Sequence, residues 1–310
     1  MRQPKHRRHF IGAMLMALLF ILLISSLLYG WYIHTQDDSL PLFITRILLP
    51  LFIGAAISSP FVTYLYGKTN FHLLILPMER QAAHRFVIIV ILICSSVGLF
   101  QPLSSSVRYN VGKVLHLQSI EEMPPHEQPT FLSLGEWHVD RLRVVPIHTY
   151  ENGKLWNRNK VYLKSLFLLP IFSQKTAYRS SAKAWLAFKY ENTISKKDFA
   201  RDKGQSYFEQ SLGHFKKINV GGFLSFELYD PGEEKQVLTQ LARNHSYFES
   251  SYSAIYQGNS VDRDWISFRF FVYTVLSFIF IILPIYWLTA RYLVRVPDDD
   301  LPVRESNGRI

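Results

Sequence analysis

Four long apolar blocks govern what this chain can fold into. Phe10 to Ile33 is apolar throughout. As a helix, its roughly 24 residues reach about 36 Å, enough to cross a ~30 Å hydrocarbon core with some tilt. Pro41 to Tyr66, Phe86 to Leu103 and Ile266 to Val294 are the other three. A helix on a soluble core needs only an apolar stripe, so continuous blocks of this length point to lipid. Arg2, Lys5, Arg7 and Arg8 precede the first block, and Tyr29, Trp31 and Tyr32 close it. A cleaved signal carries a shorter apolar core ending in small residues, whereas an aromatic belt marks a retained anchor. Pro50 and Pro60 in the second block, and Pro284 in the fourth, are tolerable where neighbouring helices re-satisfy the freed carbonyls.

Orientation follows from the basic residues of the short connections. The N-terminal tail is basic, the second-to-third connection carries Lys68, Arg80 and Arg85, and the C-terminal segment carries Arg291, Arg295, Arg304 and Arg309. The first-to-second connection has no Lys or Arg and holds Asp37 and Asp38. Both termini are therefore expected in the cytoplasm. The expected divisions are a basic tail (1–9), spans at 10–33, 41–66, 86–103 and 265–294, an outer loop (34–40), a cytoplasmic loop (67–85), an extracytoplasmic domain (104–264) and a cytoplasmic tail (295–310). Within the cytoplasmic loop, Phe71 to Met78 is too short to cross and is expected to lie at the interface. In a bacterial inner membrane, the default setting for a compact chain of this kind, the domain would be periplasmic.

Small residues four apart, Ser26 and Gly30, Gly54 and Ser58, Cys94 and Gly98, share helix faces and allow close approach of spans. Cys94 is the single cysteine, so no intrachain disulfide or thiolate metal site is available.

The inserted domain reads as α+β with a mostly antiparallel sheet, inside a membrane protein of three N-terminal and one C-terminal transmembrane α-helices. FLSLGEWHVD (131–140) and RLRVVPIHTY (141–150) look like neighbouring strands. Lys160 to Phe172, Ala184 to Tyr190 and Val220 to Tyr229 are further strand candidates. Ser195, with Asp198 three residues on, opens a polar helix whose stripe is Phe208, Leu212 and Phe215. Asp230-Pro231-Gly232-Glu233 reads as the start of a second helix that buries Val237, Leu238 and Leu241. The order of strands, helix, strand, helix lacks strict βαβ alternation, so a doubly wound sheet is not expected.

Catalytic and cofactor motifs are missing. Neither glycine-rich phosphate cradle occurs, nor a G-x-S-x-G elbow. His126-Glu127 begins a zinc-protease pattern, but Thr130 replaces the second histidine and Pro129 breaks the helix the motif needs. Ser180 to Lys183 fits S-x-x-K yet precedes a strand and lacks a following K-T-G. His138 and His148 could meet across a hairpin and, with Asp140 or Glu136, approach a metal-binding set, though no further ligand stands at a telling spacing. No cofactor, metal or small-molecule ligand is expected.

Two charged features remain. The net charge is +10, and fourteen Lys or Arg fall between Arg141 and Lys203. Arg141, Arg143, Arg158, Lys160, Lys164, Lys183, Lys196 and Lys197 from this stretch are the candidate contact for a partner or for lipid headgroups. Nucleic acid is not expected outside the cytoplasm. Arg46 and Arg269 sit near the outer ends of spans, and Asp37 and Asp38 are available at that level for an ion-pair cluster. The function expected is non-enzymatic: an accessory or assembly protein of the cell envelope, held in the bilayer, whose outer domain binds another membrane or envelope protein, a polymer or headgroups. A sensor or signalling subunit, or an envelope enzyme or transport component, is the alternative.

Overall fold

The computed structural model describes residues 3–35, 42–69, 72–73, 81–124, 127–142, 144–154, 157–173, 181–245, 247–248, 254–290 and 294–295. The chain divides into two compact units, Met1–Val111 with Ile266–Ile310, and Gly112–Trp265. The first unit opens with α1 (Gln3–Thr35), α2 (Leu42–Thr69), β1 (His72–Leu73) and α3 (Gln81–Val111). The second contains β2 (Val114–Ser119), β3 (Phe131–Glu136), β4 (His138–Val139), β5 (Val145–Asn152), β6 (Lys160–Phe172), β7 (Ala184–Ser195), the single turn α4 (Lys196–Asp198), α5 (Gly204–Lys217), β8 (Ser225–Leu228), α6 (Glu233–Arg243) and β9 (Ala254–Asn259). The chain then returns to the first unit through α7 (Arg263–Ser277), α8 (Leu283–Leu288) and β10 (Val294–Arg295).

Four helical segments, His9–Thr35, Thr45–Leu65, Ala82–Val111 and Arg263–Leu288, are long and apolar enough to cross a membrane, as expected of an integral membrane protein. Their inward faces pack Phe10, Met14, Leu18, Tyr29, Leu92 and Phe100 into one core, with Ile282 and Tyr286 added from the last segment. Their outward faces are apolar too: Met16, Phe20, Leu23, Phe52 and Phe280 are all more than half exposed. Large exposed apolar surface of this kind suits lipid. Pro50 and Pro60 lie inside an unbroken α2. A π turn at Phe278–Ile282 separates α7 from α8, just before Pro284. It adjusts the hydrogen-bond ladder where proline removes a donor.

The small-residue faces differ in use. A Cβ on Gly54 would meet Ser96 Oγ at 3.2 Å and one on Gly30 would meet Val107 at 3.7 Å, so both glycines sit against α3. Gly98 has nothing within 4 Å, and Cys94 on the same face is exposed. At the other end of α3, Asn110 Nδ2 donates to Ser267 Oγ (2.6 Å) and to Ser106 O (2.9 Å), joining α3 to α7 through a buried hydroxyl pair. His72–Leu73 pairs antiparallel with Val294–Arg295, so Val294 stands in a strand, and the rest of the expected interfacial segment lies outside the described residues.

The second unit is built on a mixed, curled sheet of eight strands in the order β2-β3-β8-β9-β7-β6-β4, with β5 also paired to β6. Pairs β3–β8, β8–β9, β6–β7, β4–β6 and β5–β6 are antiparallel; β2–β3 and β7–β9 are parallel. One layer of side chains on each face explains the near-continuous apolar run of β6. Phe167, Leu169 and Ile171 join Phe215 of α5 on one face; Leu166, Leu168 and Phe172 join Trp185 and Leu238 of α6 on the other. A strand buried on both sides reads as continuous rather than alternating.

The two strands expected at 131–150 do not form a hairpin. β3 ends at Glu136, and the chain crosses at Trp137 to the opposite end of the strand order, where β4 and then β5 lie along the same edge of β6. Trp137 fills the curl, with its ring edge-on to Phe226 at 4.8 Å and stacked on Phe223 at 6.4 Å. Helix α6 begins at Glu233, with Gly232 rather than Asp230 at its cap, and β8 is confined to Ser225–Leu228 because Val220–Gly222 forms a 3-10 turn.

Candidate binding surface at the basic end of the sheet

Register decides which of the fourteen basic residues meet. β6 and β7 pair from Ile171↔Ala184 to Lys160↔Ser195, so the start of β6 faces the end of β7. The β5–β6 turn closes with Gly153 N donating to Lys160 O (2.9 Å) and Asn157 N to Lys154 O (3.0 Å). Its tightness needs Gly153, because a Cβ there would stand 2.0 Å from Asn157 O. Lys196 N then donates to Asn159 O at 2.9 Å, which ties the β7–α4 junction to that turn. Lys154, Arg158, Lys160, Lys196 and Lys197 are thereby gathered at one end of the sheet, and all five are exposed. Asp198 does little to neutralise them: its carboxylate accepts from Lys203 (2.7 Å) and from the Ser195 hydroxyl (2.8 Å). Those two hydrogen bonds, led by Lys203, hold its pKa below the ordinary value.

Other members of the basic stretch serve the fold. Arg141 donates to Lys216 O (3.3 Å) and Ile218 O (2.5 Å), satisfying carbonyls at the end of α5. Lys183 donates to Glu121 O (2.5 Å) and Met123 O (3.5 Å), which accounts for the lysine of the S-x-x-K match. Lys164 belongs to an ion cluster on the α6 side of the sheet. There Glu234 accepts from Lys164 (2.5 Å), Lys189 (2.9 Å) and the Tyr229 hydroxyl (2.9 Å), and Glu191 lies 2.9 Å from Lys189. Burial alone would raise the Glu234 pKa, but these three donors outweigh it and bring it down to about 2. Tyr229 is pushed well up, by burial first and then by the Glu234 carboxylate. Lys189 is shifted up because Glu191 and Glu234 overcome its desolvation. Arg143, Lys175 and Arg179 lie outside the described residues, as do Asp37 and Asp38.

The remaining residues singled out from sequence fall elsewhere. Arg46 Nε donates to the Tyr29 hydroxyl at 3.3 Å, and its carbonyl accepts from Gln101 Nε2 at 3.2 Å, so α2 is held to α1 and α3 at this level. Arg269 is exposed, with its guanidinium 5.7 Å from the Phe270 ring. His138 stands opposite Phe172 and His148 opposite Ser165 on the same β6 edge. Seven residues of strand separate those positions by roughly 23 Å, so the two imidazoles do not meet.

His148 Nδ1 lies 2.9 Å from Ser165 Oγ, which also accepts from Ser211 Oγ at 2.9 Å. The pairing of a histidine with a serine resembles a nucleophilic dyad, but Ser165 is fully buried between the sheet and α5 and presents no surface to a substrate. Desolvation lowers the His148 pKa, consistent with a neutral imidazole stacked on Phe208 at 4.6 Å. The hydroxyl chain joins β5, β6 and α5 structurally.

Arg158, Lys160, Lys196 and Lys197 are among the eight residues singled out above; Lys154 belongs to the same fourteen-residue basic stretch but not to those eight. The gathering signal was the Asn152-Gly153 turn together with the length of the two flanking strands. Comparison with protein-family models, with curated proteins and with solved structures gave no match.

Proposed function

We propose that this chain is a membrane-anchored, non-enzymatic binding protein. The four apolar helices hold it in the bilayer of a cell envelope with both termini cytoplasmic, and the 112–265 unit lies on the other side. There the basic end of the sheet holds an acidic segment of a partner membrane or envelope protein. The convergence of Lys154, Arg158, Lys160, Lys196 and Lys197 carries this reading. Five cations with exposed side chains within one turn and one strand junction produce a local field that attracts polyanions within about 8 Å at physiological salt and farther at low salt. Four of the five are lysines. Lysine presents a mobile point charge on a flexible stem, which suits anionic groups that are not held in one fixed geometry, as on a flexible acidic segment.

The test uses the full chain in zwitterionic nanodiscs, with fluorescent poly-glutamate and anionic vesicles as alternative probes. Poly-glutamate is expected to bind, more weakly as salt rises. Lys154→Glu, Lys160→Glu, Lys196→Glu and Lys197→Glu together should weaken it by roughly 4- to 900-fold, since each exposed contact contributes about 0.2–1 kcal/mol. Binding that survives the fourfold reversal, or a preference for vesicles, would contradict the acidic-polypeptide reading.

A further inference from the structure

The two parallel neighbours at the centre of the sheet separate halfway along. β7 and β9 pair only through Ala184↔Ala254, Trp185↔Ile255 and Leu186↔Tyr256, yet β7 continues to Ser195 and β9 to Asn259. Beyond Leu186 a crevice of about 790 Å³ opens between them. Ala187, Lys189 and Glu191 line one wall, Gln257 and Gly258 the other, and Ile218, Phe188 and Phe223 give it an apolar side. Gly258 is required for this arrangement: a Cβ there would stand 2.2 Å from the Phe223 ring, which rests directly on its backbone.

Among the described residues, no strand covers the β9-facing edge of β7 along this stretch. In an antiparallel pair, alternate residues turn their amides toward the partner strand and the others turn away. Thr193 N donates to the Asn192 side-chain carbonyl at 2.8 Å instead of to a strand. By the period of two, Glu191, Lys189 and Ala187 present their amides on the same side, away from β6 and toward the crevice. Among the described residues, no strand pairs with β7 on that side past Leu186. An unpaired row of backbone donors and acceptors is a template for an added strand. A strand residue occupies roughly 160 Å³, from about 3.3 Å of rise, 4.8 Å between strands and 10 Å between layers, so the crevice accommodates about five residues.

We infer that the crevice between β7 and β9 accepts an extended peptide from the partner protein, which adds to the open edge of β7. Side chains on one face of the added strand rest on Phe188, Ile218 and Phe223; those on the other meet the Lys189–Glu191 pair. The edge leads to Ser195 and so to Lys160, Lys196 and Lys197. The occupant is therefore a strand-forming segment, alternating apolar and polar residues, that continues into acidic ones. This inference rests on the acidic-polypeptide reading for its charged part only; the strand part stands on the open edge.

The test uses full-length protein in zwitterionic nanodiscs and a synthetic ten-residue peptide of alternating valine and threonine followed by four glutamates. Hydrogen exchange across Ala187–Ser195 is expected to slow about tenfold or more when the peptide binds. Thr193→Pro removes an outward amide from an edge position, where proline is tolerated, and is expected to weaken the peptide about tenfold or more. Thr193→Val keeps the amide and is expected to bind as wild type; thermal unfolding of both variants verifies folding. Peptide binding with unchanged exchange in β7, or with Thr193→Pro binding as wild type, overturns the strand inference and leaves the basic end standing. Slowed exchange that persists in the fourfold charge reversal removes the acidic reading and supports strand addition. Failure of the peptide to bind at millimolar concentration overturns both.

Discussion

Replacing Glu234 with glutamine isolates the ion cluster that seats α6 on the sheet. The carboxylate accepts three hydrogen bonds, from Lys164, Lys189 and Tyr229. A carboxamide of the same size can accept through its oxygen, but its NH2 then faces one of the former donors. Tyr229 is only 4% exposed, so a hydroxyl left there without an acceptor cannot turn to water. A charge-assisted bond contributes about 1.5–3 kcal/mol and an orphaned buried donor costs about 1–3 kcal/mol. The lysine side chains are 26% and 31% exposed, so solvent screens part of their contribution. A net loss of about 2 kcal/mol is expected, which for a unit of this size lowers Tm by roughly 4–8 °C.

The pH dependence supplies the second readout. The Glu234 carboxyl titrates near 2 in the folded protein against 4.5 ordinarily. Between those values the unfolded chain binds the extra proton, so stability rises with pH across that window. The contribution is complete above 4.5 and disappears as pH falls through about 2. Circular dichroism melts of the full chain in detergent micelles should show a steeper fall for wild type than for Glu234→Gln over this interval. Equal slopes, together with midpoints within about 1 °C, the size of an ordinary surface change, would refute the assignment of Glu234 as the half-buried anchor of α6.

The helical unit makes a paired prediction. Gly54→Leu should destabilise the bundle by about 1–3 kcal/mol through overpacking against Ser96 and Ile93, whereas Gly98→Leu, with nothing within 4 Å, should be neutral in the same detergent unfolding titration. Asn110→Leu should lower the free energy of SDS-induced unfolding by about 0.6–1.7 kcal/mol by removing the bonds to Ser267 and Ser106. In the second unit, Gly258→Val must displace Phe223 from the crevice wall. A loss of about 1–3 kcal/mol and perturbed Trp137 fluorescence are expected, since Trp137 stacks on that ring.

Much of the helical frame is legible in sequence because lipid imposes a simple rule: block length and composition alone identify the four segments. The strand 160–172 and the first part of the next, 184–190, are legible for a related reason, as β-branched and aromatic runs; the polar continuation to Ser195 is not. Their partners are not. Trp137 reads as one more strand residue in FLSLGEWHVD, while in the fold it marks the crossing from one end of the strand order to the other, a consequence of sheet curvature that local pattern does not carry. The start of α6 shifts by two residues, the chain bending at Pro231–Gly232 before the helix begins. Of the eight basic residues singled out from composition, four stand at the basic end of the sheet: Arg158, Lys160, Lys196 and Lys197. Which cations converge depends on the Lys160↔Ser195 register, and Arg141, Lys164 and Lys183 are taken up by carbonyls and carboxylates distant in sequence. The crevice could not be read at all, because a sequence shows strands but not where two of them part.

The side of the membrane on which the basic end lies can be measured directly. Cys94 is the single cysteine, so Cys94→Ala with Lys160→Cys places one thiol at the sheet end. Cells stripped of any outer membrane but with the anchoring membrane sealed, treated with a membrane-impermeant maleimide, should label Lys160→Cys fully before lysis, and prior addition of poly-glutamate should protect it. Labelling that appears only after the membrane is opened would put the unit in the cytoplasm and contradict both the topology and the class of partner proposed for it.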